Sequence, residues 1–369
     1  MIATREGALI VRDAARSDNA ALLRVCEACT MRGDVALRID RAPDFFALNA
    51  LEGDDWRVGV AVDEHGAIVG CVAAARREVW MNGAPRTVCY VSDLKVIPSA
   101  RGGGVADELT RYVVDACIAL VDATVPALVT ILEGNRPMER RAAGPRGLPI
   151  LSRIATINAL AIPLLWERRE RVAGFTVRAA TERDLEPMAE LWQRIAPVRQ
   201  LTARLDAGTM RAWIDSAPGL AIGDYLLACD AAGRIRGFVG IWDQTRLKQL
   251  RVVSYSRRLG AVRRAINFAA PLVGATRLPP AGDALPVVTA VHLAAPDATV
   301  LRALLLEAYR GQRARGRAAI TLGLDVRDPL IEAVRGLLAQ PTFVGAYLTQ
   351  PTVVAQLDAR PVHLETALT

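Results

Sequence analysis

The sequence predicts an α/β fold laid down twice in tandem. Three observations carry that expectation. The chain has 369 residues, and at about 100–200 residues per domain it has room for two. Strand-like runs alternate with helix-periodic runs. The opening of the chain also recurs in its second half, with the same kinds of element in the same order.

In the first half, strands are expected over 8–13, 56–62, 67–79, 87–97 and 126–132. Two turn signals, Asp63-Glu64-His65-Gly66 and Asn82-Gly83, join the middle strands as hairpins. A helix over 17–30 follows from the spacing of Leu22, Leu23 and Cys26. Further helices are expected over 43–50 and 103–121.

The repeat begins with Val11-Arg12-Asp13-Ala14-Ala15-Arg16-Ser17-Asp18, which returns as Val177-Arg178-Ala179-Ala180-Thr181-Glu182-Arg183-Asp184. The hairpin Asp63–Gly70 returns as Asp230–Gly237, and Leu132–Pro137 is echoed by Leu324–Pro329. The first two echoes lie 166 and 167 residues apart, whereas Pro98 and Pro296 lie 198 apart. The second copy therefore carries an insertion within 245–286. These spacings place one domain at 1–168 and the other at 174–369, with the charged stretch Glu167–Gly174 between them.

The densest chemical signal is Arg101-Gly102-Gly103-Gly104-Val105-Ala106, which follows the strand over 87–97 and opens the helix over 103–121. Three glycines leave a turn without side-chain walls. Its N–H groups can converge on an anion where the helix dipole is positive. No Lys-Ser or Lys-Thr follows, so it is not a Walker loop. The contiguous Gly102, Gly103 and Gly104 also break the spacing of a dinucleotide fingerprint.

Arg101, Gly104 and Ala106, preceded by Val96-Ile97-Pro98, form the pattern Arg-x-x-Gly-x-Ala after a strand. This resembles the acetyl-CoA signature of the GNAT (acyl-CoA N-acyltransferase) superfamily. The likeness covers nearly all of the first copy; the second shares the element order but lacks the loop. The resemblance implies an α+β fold: two tandem mixed sheets, each splayed between its fourth and fifth strands and flanked by helices. Backbone exposed at such a parting can bind the amide-rich pantetheine arm as an added strand would.

The resemblance also implies roles. The backbone of Arg101, Gly102, Gly103, Gly104, Val105 and Ala106 would hold the CoA diphosphate, with the Arg101 side chain adding charge-assisted contacts. Leu94, Lys95 and Val96 would meet the pantetheine and the acyl carbonyl, and Asn135, Met138 and Arg141 would complete the cofactor site. The expected chemistry is direct attack of a neutral amine on the thioester, which needs a base. Asp93 is the first candidate for that base and Glu133 the second. Alternation places Asp93 and Lys95 on one strand face and Leu94 and Val96 on the other. The tyrosine that usually serves as acid is missing from Arg136–Gly144, and neither His65 nor His292 is suitably placed to replace it.

The resulting expectation is an N-acyltransferase using acetyl-CoA or another acyl-CoA, with a small-molecule amine or a protein amino group as acceptor. The alternative is a non-catalytic CoA-binding sensor. No metal is expected; Cys26-Glu27-Ala28-Cys29 lies in a helical pattern without a second pair or a nearby histidine.

The chain is 52% hydrophobic and 23% charged, which suits a sizeable core. No apolar run approaches the ~20 residues of a membrane span, and Met1–Gly7 lacks a signal peptide's apolar core. Cytoplasmic location is expected, and a homo-oligomer is compatible with the sequence. The formal charge of +7 favours an anionic cofactor. Only Lys95 and Lys248 are lysines, and the arginines look spread along the chain in the manner of GC-rich coding bias, so nucleic acid is not an expected partner. Within the insertion, Ser256–Phe268 reads as a basic amphipathic helix: a packed surface helix, a substrate lid, or a patch for membranes or acidic partners.

Overall fold

The first half of the chain forms β1 (Ile10–Asp13), α1 (Asn19–Ala28), β2 (Val35–Asp40), α2 (Phe46–Glu52), β3 (Asp55–Val62), β4 (Ile68–Met81), β5 (Ala84–Val96), α3 (Val105–Leu120), β6 (Ala127–Leu132), α4 (Arg136–Ala142) and β7 (Ser152–Pro163). The second half forms β8 (Thr176–Ala179), α5 (Leu185–Ile195), β9 (Thr202–Ala203), α6 (Ala207–Ser216), β10 (Tyr225–Cys229), β11 (Ile235–Trp242), β12 (Gln249–Tyr255), α7 (Arg257–Val273), β13 (Val287–Ala294), α8 (Ala298–Ala314), β14 (Ala319–Asp325), β15 (Gln340–Leu348) and α9 (Pro351–Ala355). This computed structural model describes residues 9–31, 33 and 35–369; the reading of Met1–Gly7 and the expected strand start at residue 8 lie outside them.

One mixed sheet runs through the molecule in the order β1-β3-β4-β5-β6-β15-β7-β14-β13-β11-β10-β8, with β9 attached to β4. The order is a palindrome. β1, β3, β4, β5 and β6 are mirrored by β8, β10, β11, β13 and β14. At the centre the last strand of each copy has crossed over. β15 lies beside β6, with Val344 opposite Leu132, and β7 lies beside β14, with Leu160 opposite Leu322. The division of the chain at 168–174 is therefore not a division of the sheet. Central packing likewise joins Val88, Leu128 and Ile157 to Ala346, Leu348 and Val362.

A second, two-stranded sheet pairs β2 with β12, Leu37 opposite Val252. The insertion of the second copy thus supplies a partner strand to the first. α1, α3, α5 and α8 pack on the main sheet through apolar stripes. Val105, Leu109, Val113, Ala116 and Cys117 of α3 are buried at helical spacing against β3, β4 and β5.

The copies share a backbone irregularity. Asp93 in β5 has φ +55° and His292 in β13 has φ +49°. Each sits at a register shift shortly before a proline, Pro98 or Pro296. His292 is core: Tyr225 Oη lies 2.7 Å from its Nδ1, its backbone N–H donates to Glu365 Oε2 at 2.9 Å, and the Trp213 ring centre is 4.3 Å away. Burial brings its imidazole down to about 4, with Glu365 opposing. A lowered histidine penalises the fold once pH passes below the unfolded value, about 6.5. Stability is therefore expected to fall between about pH 6.5 and 4, by about 3 kcal/mol in total from this residue. Denaturant unfolding at both ends of that window should show a shallower pH slope for His292→Gln than for the parent; identical slopes would assign the loss elsewhere.

Candidate active site

β5 and β6 pair in parallel only from Cys89–Val91 to Ala127–Val129. Beyond that, Thr130–Leu132 of β6 pair on their other side with β15, while β5 runs on to Val96 paired only with β4. The sheet is parted here, at the place the sequence resemblance implied. Asp93, the bulged residue, lies on the parted edge.

The glycine turn continues from this edge. Gly102 has φ +90° and Gly104, which precedes α3, has φ +81°. A side chain would be strained at either position. A Cβ at either would meet nothing within 4 Å, so space above the turn is open. Among the described residues, the N–H groups of Gly102 to Ala106 donate to no other group. The first helical bonds, from Asp107 N and Glu108 N, end on Gly104 O. Arg101 is exposed and its Nε donates to Val96 O at 3.1 Å, which ties the turn to the end of β5. The Val105 side chain points into the core, leaving its backbone as the part that faces the turn. The arrangement fits an anionic diphosphate.

Along the parted edge of β5, between Leu94, Lys95 and the α3 residue Thr110, lies a cavity of about 1480 Å³; the turn residues Arg101 to Ala106 are not among those that line it. Leu94, Lys95, Glu133, Asn135, Met138 and Arg141 line its first-copy side. Lys248, Leu250, Thr289 and Thr321 line it from the second copy, and Ala159–Ala161 of β7 and Pro341–Val344 of β15 from the exchanged strands. Arg141 is ion-paired to Asp107 in the first turn of α3, which fixes α4 against the cradle.

The cavity's charged wall is a buried network. Asp93 is held by Arg41 on Oδ2 and Lys95 on Oδ1, and Asn49 Nδ2 donates to Oδ2 at 3.2 Å. Burial alone would raise this carboxyl, but the two cations dominate and hold it far below the usual carboxylate range. Such a group does not take up a proton near neutral pH. Asp93, the first candidate for the base, is the counter-ion of the buried Arg41 and Lys95. Glu133 is also engaged, ion-paired to Arg153, with its N–H bonded to Phe343 O of β15 at 2.9 Å.

The carboxylate that sequence reasoning missed is Glu52, at the end of α2. It is 3% exposed and lines the cavity. Ser92 Oγ donates to its Oε2 at 2.9 Å and Asn49 Nδ2 to the same oxygen at 3.1 Å, while Oε1 has no partner among the described residues. Burial, then the charge of Asp93, push its carboxyl up, with Arg77 and Arg41 opposing. A local signal existed: Asn49 and Glu52 stand three apart in an otherwise apolar helical turn, which puts both on one face. Lys248, also missed, donates to Thr369 O at 2.6 Å. Burial and the charge of Arg41 bring its ammonium down to about 8. Among the described residues, no group of three or more His, Cys, Asp or Glu side chains could hold a metal ion.

Residues 29–140 match the sequence model of the acetyltransferase (GNAT) family. No curated protein matches the chain in sequence. The whole fold resembles a GCN5-related N-acetyltransferase from Sphaerobacter thermophilus (TM-score 0.61, 16% identity, covering 94% of this chain and 96% of that one). It also resembles N-myristoyltransferase from Saccharomyces cerevisiae with bound myristoyl-CoA (0.63, 12%, 94% and 84%). A GCN5-related N-acetyltransferase from Anabaena variabilis is similar as well (0.53, 12%, 92% and 72%). Likeness at these identities establishes the fold. No helix among the described residues is long and apolar enough to cross a membrane. The chain is thus built on the fold seen in GCN5-related N-acetyltransferases and N-myristoyltransferase, and its residues 29–140 carry the sequence pattern of the acetyltransferase (GNAT) family model.

Proposed function

We propose that the protein transfers an acyl group from an acyl-CoA, acetyl-CoA in the simplest case, to a primary amine of a small molecule or a protein. The observation that carries this reading is an open anion cradle at the start of α3, continuous with a parted strand edge that leads into a large cavity. Gly102 to Ala106 would hold the diphosphate, Leu94 to Val96 the pantetheine arm, and Asn135, Met138 and Arg141 the opposite wall. When bound, the acyl-CoA supplies an activated thioester carbonyl.

The chain's own residues then do three things. Backbone N–H groups on the parted edge near Val96 would stabilise the oxyanion that develops on the acyl carbonyl. Glu52, raised by burial, takes the amine proton on its free Oε1. Lys248 Nζ holds a proton that it can release near neutral pH. The two copies, 1–168 and 174–369 in the chain, serve one site, the first supplying the cradle and the second closing the acceptor side.

Isothermal titration with CoA and a thiol-release assay across a panel of amines test the proposal. Gly102→Asp and Gly104→Asp place a carboxylate at the cradle and are expected to weaken CoA binding at least about tenfold, with the fold retained. Unchanged affinity in both would remove the turn from the site. Tight CoA binding with no thiol released by any amine would favour the sensor reading instead.

A further inference from the structure

The basic excess of this protein is concentrated in one segment. Between Asp243 and Asp283 stand seven arginines and Lys248 with no carboxylate, whereas the whole chain has a formal charge of +7. The remainder is close to neutral, which corrects the even spread read from the sequence.

That segment displays α7. Its inner face is tied down: Ala270 is buried, Arg263 Nε donates to Leu278 O at 3.2 Å, and Asn267 and Leu278 exchange hydrogen bonds of 2.9 and 2.7 Å. Its outer face is not. Phe268 and Leu272, one turn apart, are each 83% exposed, and Val262 is 42% exposed. Arg257, Arg258 and Arg264 are exposed beside them. Among the described residues no carboxylate pairs with any of these arginines.

We propose that α7 is an interfacial helix that docks the protein on an anionic lipid surface. Arg251 is ion-paired to Asp40 within the molecule, whereas the charge of Arg257, Arg258 and Arg264 on α7 is left complementary to such a surface. Phe268 and Leu272 supply the apolar insertion that a headgroup layer accepts, while the arginines meet its phosphates. A nucleic acid would engage the arginines but leave the two large apolar side chains in water, so the composition of the face favours lipid. β12, just before α7, and Leu285 and Val287, just after it, wall the cavity. Docking therefore sets an element directly connected to this wall of the cavity against the bilayer. The inference is independent of the acyl-transfer reading.

The test is co-sedimentation of the full chain with phosphatidylcholine vesicles, with and without phosphatidylglycerol, over a salt series. Binding is expected only with phosphatidylglycerol and should weaken as salt rises. Arg257→Gln with Arg258→Gln should weaken it about 30-fold, at about 1 kcal/mol per arginine. Phe268→Asp with Leu272→Asp should abolish it, a loss of at least about 100-fold. Both pairs lie on the exposed face, and thermal melting of each variant checks that the fold is kept. Failure to sediment with anionic vesicles overturns the proposal. So does undiminished binding by the Phe268/Leu272 variant, whether to vesicles or to RNA, which would leave only a polyanion surface. An α7-dependent dimer that forms without lipid and does not bind vesicles would assign the face to a second copy and overturn it equally.

Discussion

Replacing Asp93 by alanine is expected to destabilise the protein by about 3–5 kcal/mol, because it strands two buried cations. Arg41 is 1% and Lys95 19% exposed at the side chain, and both are ion-paired to this one carboxylate. Arg41 Nη2 also binds Phe45 O and, at 3.0 Å, Asn49 Oδ1, so it cannot swing out to water without dismantling the start of α2. Asp93→Asn keeps the volume but not the charge, and should recover only part of the loss. Urea unfolding of the three proteins measures this. A fully stable Asp93→Asn variant that loses only turnover, with an altered acidic limb in its pH profile, would return Asp93 to the role of base.

Glu52→Gln should leave CoA affinity and folding nearly intact while lowering kcat by about 10²–10⁴, the usual contribution of a positioned base. Glutamine preserves shape and can still accept from Ser92 and Asn49. The pH profile separates proton transfer from mere positioning. In the parent, the rate falls on the acidic side as the raised carboxyl of Glu52 becomes protonated, and on the alkaline side above about 8 as Lys248 loses its proton. Glu52→Gln should erase the acidic limb and Lys248→Met the alkaline one. An acidic limb that survives in Glu52→Gln would assign the base elsewhere.

Local pattern was enough for the pieces that are local. The hairpins at Asp63–Gly66 and Asn82-Gly83, the helix after the glycine turn and the turn itself all have short-range causes: positive φ at Gly66, Gly83, Gly102 and Gly104, and apolar spacing in α3. The repeat was legible because copied turns keep copied residues. What escaped notice depends on distant partners. Neither β7 nor β15 announces that it has crossed to the other copy, because the pairing of Val344 with Leu132 leaves no mark within either strand. The pairing of β2 with β12 is hidden for the same reason. The surroundings of Asp93, and the presence of Glu52 beside it, were hidden because both are set by tertiary neighbours. Arg41 lies 52 residues from Asp93, and Ser92 lies 40 from Glu52.

The crossing of β7 and β15 carries a mechanical consequence. Each copy is stitched through the other's central strands by continuous backbone hydrogen bonds, so the midline of the molecule cannot act as a hinge. Jaw-like opening of one half against the other would have to break the β6–β15, β15–β7 and β7–β14 ladders together. Any breathing that admits a bulky acceptor must then come from the periphery, from the small β2–β12 ribbon and the helix it carries. Cutting the chain between its halves would yield two fragments, each with an orphaned terminal strand, rather than two working proteins.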